Sequence, residues 1–276
     1  MEDTSAKDRI EKIEVSLFLE AIYRQYGYDF RNYAYESIKR RILYSAREVK
    51  VSSISEYQGR VLYEPNLMKR LTDNFSITVT EMFRDPSFFQ SFRLNIIPSL
   101  QNQPVLRIWI AGCSSGEEVY SLAILLLEEG LYEKTRIYAT DINEDILEKA
   151  KDGIISLHHM KHYTRNYLEA GGTREFSKYY KVDGDHVIIE PALKKNIIFA
   201  QHNLATDHSF NEFHVILCRN VLIYFNNELK ERVFQLFYDS LSEGGFLGLG
   251  SQESIMSFNA FSDVDYANKL YVKEIT

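Results

Sequence analysis

The chain has 276 residues, 45% of them hydrophobic and 26% charged, with a formal net charge of −7. That length accommodates one large or two modest domains with an ample core. The acidic balance argues against nonspecific nucleic-acid binding. No apolar run is long enough to span a bilayer. Two cysteines, Cys113 and Cys218, supply neither a disulfide framework nor a metal cluster. The first residues lack an apolar signal core, so a cytoplasmic protein without membrane insertion or a metal is expected. Charge is uneven: residues 1–100 carry 15 Lys/Arg and 14 Asp/Glu (net +1), leaving −8 for the rest.

Residues 1–74 are expected to form a small helical domain. Ile13, Leu17, Phe18 and Ile22 mark one helix, and Tyr35, Ile38, Ile42 and Leu43 another. Ser53 with Glu56 has the spacing of a capping box before a third. From Lys39 onward the second helix carries Lys39, Arg40, Arg41, Arg47 and Lys50 against one acid, Glu48. It is either a solvated face or a docking surface for an acidic partner. Residues 75–104 read as a link between domains. Within it, Asp85 is placed to cap a helix that starts at Pro86.

From residue 105 the pattern is strand and helix in alternation. Val105 to Ile110 is a short apolar run. Gly112, Cys113, Ser114, Ser115 and Gly116 form a loop of small residues. A helix follows, with apolar positions at Val119, Leu122, Ala123, Leu126 and Leu127. A strand, a glycine loop and a helix in that order is where α/β sheets bind nucleotides. The helix opens on Glu117-Glu118, which would repel a pyrophosphate and suits a positively charged ligand. A second strand ends at Asp141, placed to accept hydrogen bonds from a ribose diol. Ribose, positive charge and no phosphate together describe S-adenosylmethionine. The alternative is a structural turn with two acids at a helix N-terminus.

Further on, Asn143 is placed to cap a short helix over Glu144–Lys151. The run from Tyr179 to Ile189 around Asp183-Gly184-Asp185 reads as a hairpin, a small antiparallel insertion near residues 175–195. His158, His159 and His162 lack a metal-binding spacing. Asn196–Ala200 and Phe213–Cys218 continue the sheet, Asn227–Leu241 is helical, and strands near Gly244–Gly250 and Lys269–Val272 complete it. If the sheet is parallel, Gly112, Asp141, Asn203 and Arg219-Asn220 all lie beyond its carboxyl edge.

These residues resemble the chemotaxis receptor methyltransferases, the CheR family. The matching pieces are Thr80 to Pro86, Ala111 to Ser121, Ala139 to Ile142, Asn203-Leu204 and Cys218 to Phe225. Their order and spacing match too, over nearly the whole chain. The implied fold is a small all-α domain followed by a Rossmann-like α/β methyltransferase domain with a small antiparallel β insertion. The implied reaction transfers a methyl group from S-adenosylmethionine to glutamate side chains on chemoreceptor cytoplasmic helices. Its products are glutamyl methyl esters and S-adenosylhomocysteine. By similarity, Asp141 would hold the ribose, Glu117 or Glu118 the methionine end, and Asn203-Leu204 the adenine. Gly112 would line the site, Asn220-Val221 would sit beside the cofactor, and Thr80 and Arg84, with Thr78, would close over it. Arg219 and Tyr224 would face the methyl group and the incoming carboxylate, with Arg84 attracting the acidic substrate.

Two departures qualify the match. Thr78 stands where the family often has Asn, and the hairpin loop at Asp183-Gly184-Asp185 is short. Some family members use a longer loop there to grip a peptide tether at the receptor C-terminus, so no tether is expected here. Receptor methylation regions are acidic helical bundles, which gives Lys39, Arg40, Arg41 and Arg47 a partner to steer. Two rivals stay open: a carboxyl methyltransferase with another acceptor, and a nonenzymatic S-adenosylmethionine-binding regulator. A dinucleotide oxidoreductase is disfavoured by Glu117-Glu118.

Overall fold

The computed structural model describes residues 2–75, 80–255, 258 and 260–274, with side chains from Lys7 onward. The chain divides into two compact units. One comprises Met1–Ile77 with Tyr224–Arg232, the other Thr78–Ile223 with Val233–Thr276.

The smaller unit is built on four helices, α1 (Glu2–Tyr26), α2 (Tyr35–Glu48), α3 (Ile54–Tyr63) and α4 (Pro65–Phe75). Its core is Phe18, Ile22, Phe30, Ile38, Ile42, Tyr57, Val61 and Leu71, all nearly inaccessible to solvent. The Phe18 and Tyr57 rings stack at 5.4 Å across α1 and α3. Ser53 caps α3 by accepting from the Glu56 N–H at 3.1 Å. Glu56 reaches back one residue further than a capping box requires, accepting from the Ser52 N–H and hydroxyl.

Ile13, Leu17, Phe18 and Ile22 lie on α1 as expected; of these, Ile13 and Leu17 face solvent, as Ile10 does. The buried stripe runs through Val15, Phe18, Leu19 and Ile22, one face round from them. In α2, Arg41 is turned inward and buried, and its guanidinium donates to the Phe75 carbonyl. Lys39 is half-buried and paired with Glu11. Of the four basic residues singled out, Arg40 and Arg47 are the exposed ones.

The larger unit begins with α5 (Pro86–Ser91), which continues through a π-helical turn at Phe92–Ile96 into α6 (Ile97–Leu100). Phe88, Phe89 and Phe92 anchor it in the main core. The described part of the segment read as a link therefore folds with this unit from Thr80 onward. Next come β1 (Leu106–Ala111), α7 (Glu117–Glu128), β2 (Thr135–Asp141), α8 (Glu144–Asp152), β3 (Ile154–Ser156) and α9 (Met160–Glu169). The strands β4 (Tyr180–Asp183), β5 (His186–Ile189), β6 (Ile197–Gln201) and β7 (Phe213–Cys218) lead to α10 (Asn227–Ser240). The chain closes with β8 (Leu241–Leu249), β9 (Phe261–Asp265) and β10 (Leu270–Lys273).

Seven strands form the main sheet in the order β6-β2-β1-β7-β8-β10-β9. The first five are parallel, and β10 and β9 close one edge as an antiparallel pair. The chain moves outward from β1 through β2 to β6, then returns to β7 on the other side of β1. The order reverses between β1 and β7, and that crevice is where doubly wound sheets take ligands. A second sheet, β3-β5-β4, is the small antiparallel insertion. It begins earlier than the hairpin signal indicated, because the three-residue strand β3 joins from Ile154. Among the described residues no helix is long and apolar enough to cross a membrane.

Candidate active site

The carboxyl ends of β1, β2, β6 and β7 bring Gly112, Asp141, Asn203 and Arg219-Asn220 to one edge of the sheet. Gly112 leaves β1 at φ +77°, and a Cβ there would stand 2.4 Å from Val221 Cγ2. Any other residue would wedge open the crevice between the β1 and β7 loops. The N–H groups of Gly112 and Cys113 donate to the Thr140 carbonyl at 2.8 and 2.9 Å, fastening the loop to the end of β2.

Asp141 is held by the backbone. Its Oδ2 accepts from the Ser114 N–H at 3.0 Å and its Oδ1 from the Asn143 N–H at 3.1 Å. Burial pushes its carboxyl above the ordinary range, while the Asn143 and Ser114 amides pull it back. Each carboxylate oxygen can accept more than one hydrogen bond, so this set retains capacity for a diol. Asn143 in turn caps α8, accepting from the N–H groups of Asp145 and Ile146.

Glu117 and Glu118 open α7 behind Gly116. Burial raises both carboxyls, with the Ser115 hydroxyl opposing this at Glu117 and Arg219 opposing it at Glu118. Ser115 Oγ donates to Glu117 Oε2 at 2.7 Å. Glu118 has a stronger partner: Arg219 Nη1 lies 2.6 Å from its Oε2.

Arg219 was expected to face an incoming carboxylate, and its guanidinium has other partners. Its side chain is 1% exposed and bonds Glu118, Asp85 at 2.8 Å and the Arg84 carbonyl at 2.9 Å. It also lies 4.1 Å above the Phe88 ring. Its planar fork joins the end of β7, the start of α7 and the segment before α5, Nη1 reaching Glu118 and Nη2 reaching Asp85 and the Arg84 carbonyl. Asp85, read as the cap of α5, makes no side-chain cap hydrogen bond. Its carboxylate goes to Arg219 instead.

The Thr80–Asp85 segment is held from α9. Asn166 Nδ2 donates to the Met82 carbonyl at 3.1 Å, Tyr163 OH to the Thr80 carbonyl at 3.4 Å, and His162 contacts Glu81 at 2.6 Å. Ser121 on α7 accepts from the Phe83 N–H at 2.8 Å. These contacts fix a strained stretch: Phe83 at φ 53° and Asp85 at φ 54° both occupy the left-handed region. Arg84 sits between them, half-buried, with its charge felt at Glu118. Thr78 lies outside the described residues.

Asn203 organises the turn after β6. Its Oδ1 accepts from the Ala205 N–H at 2.9 Å and its own N–H donates to Asp207 at 2.8 Å, with Leu204 buried beside it. Tyr224 belongs to the smaller unit. Its ring lies 4.7 Å from the buried Arg41 guanidinium, and its carbonyl accepts from the Ala34 N–H at 2.8 Å.

Sequence reasoning missed three residues of this neighbourhood: Tyr163, Asn166 and Glu253. Helix α9 gave weak periodicity, so nothing marked Tyr163 or Asn166. Glu253 stands just past the carboxyl end of β8, a position from which strand-end chemistry is drawn, and that signal was available.

The amino-acid comparisons agree with this build. Residues 78–269 match the model described as CheR methyltransferase, SAM binding domain, and residues 13–76 match CheR methyltransferase, all-alpha domain. The chain belongs to the CheR methyltransferase family. The protein Cher3 of Pseudomonas putida is 50% identical over 93% of both chains. The chemotaxis protein methyltransferase of Listeria innocua is 32% identical, and that of Listeria monocytogenes 31%, each over 93% of this chain and 95% of the relative. The CheR fold here is an all-α domain followed by a Rossmann-like domain with a mixed sheet and a small antiparallel sheet. Its activity is methyl transfer from S-adenosylmethionine in chemotaxis.

Proposed function

We propose that this CheR chain methylates glutamate side chains on the cytoplasmic helices of chemoreceptors, giving glutamyl methyl esters. The observation that carries the reading is the acidic character of the crevice at the β1–β7 switch. Asp141, Glu117 and Glu118 are half-buried around a glycine loop, a donor set that fits a ribose-bearing cation. When bound, the sulfonium cofactor supplies an electrophilic methyl group.

Asp141 would hold the ribose. Glu118 is engaged by Arg219, so Glu117 is assigned the methionine ammonium. Asn203 and Leu204 would border the adenine, and Gly112 with Asn220-Val221 would form the wall beside the cofactor. Thr80 and Arg84, with Thr78, would cover it. The substrate glutamate is already ionised at neutral pH, so its oxygen needs no general base. The chain's task is alignment at near-attack distance and exclusion of water from the carboxylate. Tyr224 is assigned a hydrogen bond that orients that carboxylate. Arg84 attracts it, and Arg219 is assigned the positioning of Glu118 and the Arg84–Asp85 segment. Arg40 and Arg47 would steer the acidic receptor bundle from the cytoplasm. The two-residue turn between β4 and β5 supports a protein that does not use the peptide tether.

The test is cofactor-dependent modification of purified receptor cytoplasmic fragments, mapped by mass spectrometry. Methyl groups on glutamates support the reading. Methylation of lysines, or of no receptor residue at all, rejects it.

A further inference from the structure

Glu253 is buried, 5% exposed, and does not belong to the cofactor residues assigned above. Its Oε2 accepts from the N–H groups of Asn220 at 2.9 Å and Gly250 at 2.7 Å, and its Oε1 from the Ile223 N–H at 3.3 Å. A buried carboxylate is costly unless such donors surround it. Here all three are main-chain groups, two of them on one loop. That loop leaves β7 through Asn220 at φ 61°, the left-handed region that asparagine tolerates better than most residues.

The approach is close. A Cβ on Gly250 would stand 2.7 Å from the Asn220 nitrogen and 2.8 Å from Glu253 Oε2. Only glycine lets the end of β8 come near enough to deliver Glu253 under the loop. The loop's outer side carries Val221, whose Cγ2 meets the space beside Gly112. The negative charge of Glu253 also reaches Glu118 and Cys218, contributing to their raised proton affinity.

We propose that Glu253 is a positioning residue for the cofactor: its carboxylate holds Asn220–Val221 against Gly112 and so sets the width of the crevice. This deepens the functional reading above and rests on it. Glutamine at this place keeps the volume and one carbonyl oxygen, but turns an NH2 toward an N–H donor. Alanine leaves all three amides without the carboxylate.

The experiment compares S-adenosylhomocysteine binding by calorimetry for the 276-residue wild type, Glu253→Gln and Glu253→Ala, with circular dichroism to establish folding. The kinetic companion measures KM for S-adenosylmethionine and KM for the receptor fragment separately. Affinity for S-adenosylhomocysteine should fall by about ten-fold in Glu253→Gln, the scale of a spoiled buried hydrogen bond, and further in Glu253→Ala. KM for S-adenosylmethionine should rise in parallel, with KM for the receptor fragment unchanged. If Glu253→Ala does not fold, Glu253→Gln decides alone. A folded variant that binds within about two-fold of the wild type, the scatter of a neutral change, overturns the proposal even if its melting temperature falls. A wild-type protein that does not bind S-adenosylhomocysteine overturns the cofactor reading itself, and the proposal with it.

Discussion

At the residue scale the site is a division of labour among carboxylates. Glu118 and Asp85 neutralise Arg219, and Asp141 is bound to two backbone amides. Glu117 accepts from the Ser115 hydroxyl, and burial raises its carboxyl. For a raised carboxyl the protonated form persists to higher pH. An ammonium-binding Glu117 therefore weakens as pH falls through that raised value, before an ordinary glutamate titrates. S-adenosylmethionine affinity, followed by calorimetry in steps from neutral to mildly acidic pH, should decline in the wild type. In Glu117→Gln it should be weaker throughout, with a flatter pH dependence; equal affinity and the same pH profile would remove Glu117 from the site. Tyr224→Phe loses one hydrogen bond to a charged group, which predicts about ten-fold lower kcat/KM for the receptor fragment. Full turnover by that variant rejects the role given to Tyr224. The residues at strand ends were legible from the sequence because strand-end position and side-chain chemistry coincide there. The partners of Arg219 were not. Asp85 looked like a helix cap, and only the folded chain brings it to a guanidinium 134 residues away.

At the element scale, α2 and α9 show where periodicity succeeds and where it stops. The apolar stripe of α2 through Ile38 and Ile42 was plain, but a run of basic residues does not say which of them turns inward. Arg41 lies next to Ile42 on the buried side, so the basic face reduces to Arg40 and Arg47, two turns apart on one side of the helix. Reversing both charges, Arg40→Glu with Arg47→Glu, should lower the rate of receptor methylation several-fold at low salt and flatten its salt dependence. Unchanged rate and slope would make this an ordinary solvated face. Helix α9 packs Met160, Tyr163 and Tyr167 into the core, but its contacts to the segment before α5 are with backbone. Asn166 and Tyr163 are spent on the carbonyls of Met82 and Thr80, and such contacts leave no hydrophobic pattern. In α1 the helix is where the apolar spacing put it, with apolar residues on two faces. Ile10, Ile13 and Leu17 keep helical spacing while facing solvent, because Val15, Phe18, Leu19 and Ile22 already supply the buried side.

At the scale of the whole molecule, the strand–loop–helix alternation implied a parallel sheet, and the hairpin signal implied an antiparallel insertion. Both are present, the first with its order reversal between β1 and β7. The sequence pattern did not show that Tyr224–Arg232 would group with the N-terminal helices, since that depends on contacts such as Phe225 with Tyr33 across nearly 200 positions. The short turn between β4 and β5 makes a prediction at this scale: calorimetry should detect no tight binding of a receptor C-terminal peptide, and tight binding would show that the insertion grips a tether after all. The central claim, a carboxylate as methyl acceptor, is tested most directly by one measurement. Receptor cytoplasmic fragments are incubated with the protein and methyl-labelled S-adenosylmethionine, then treated with mild alkali. Label that enters the receptor and leaves as methanol is the predicted result, because an ester hydrolyses where an N-methyl group does not. Label that enters and stays after alkali, or cofactor binding with no transfer to any receptor fragment, would contradict it.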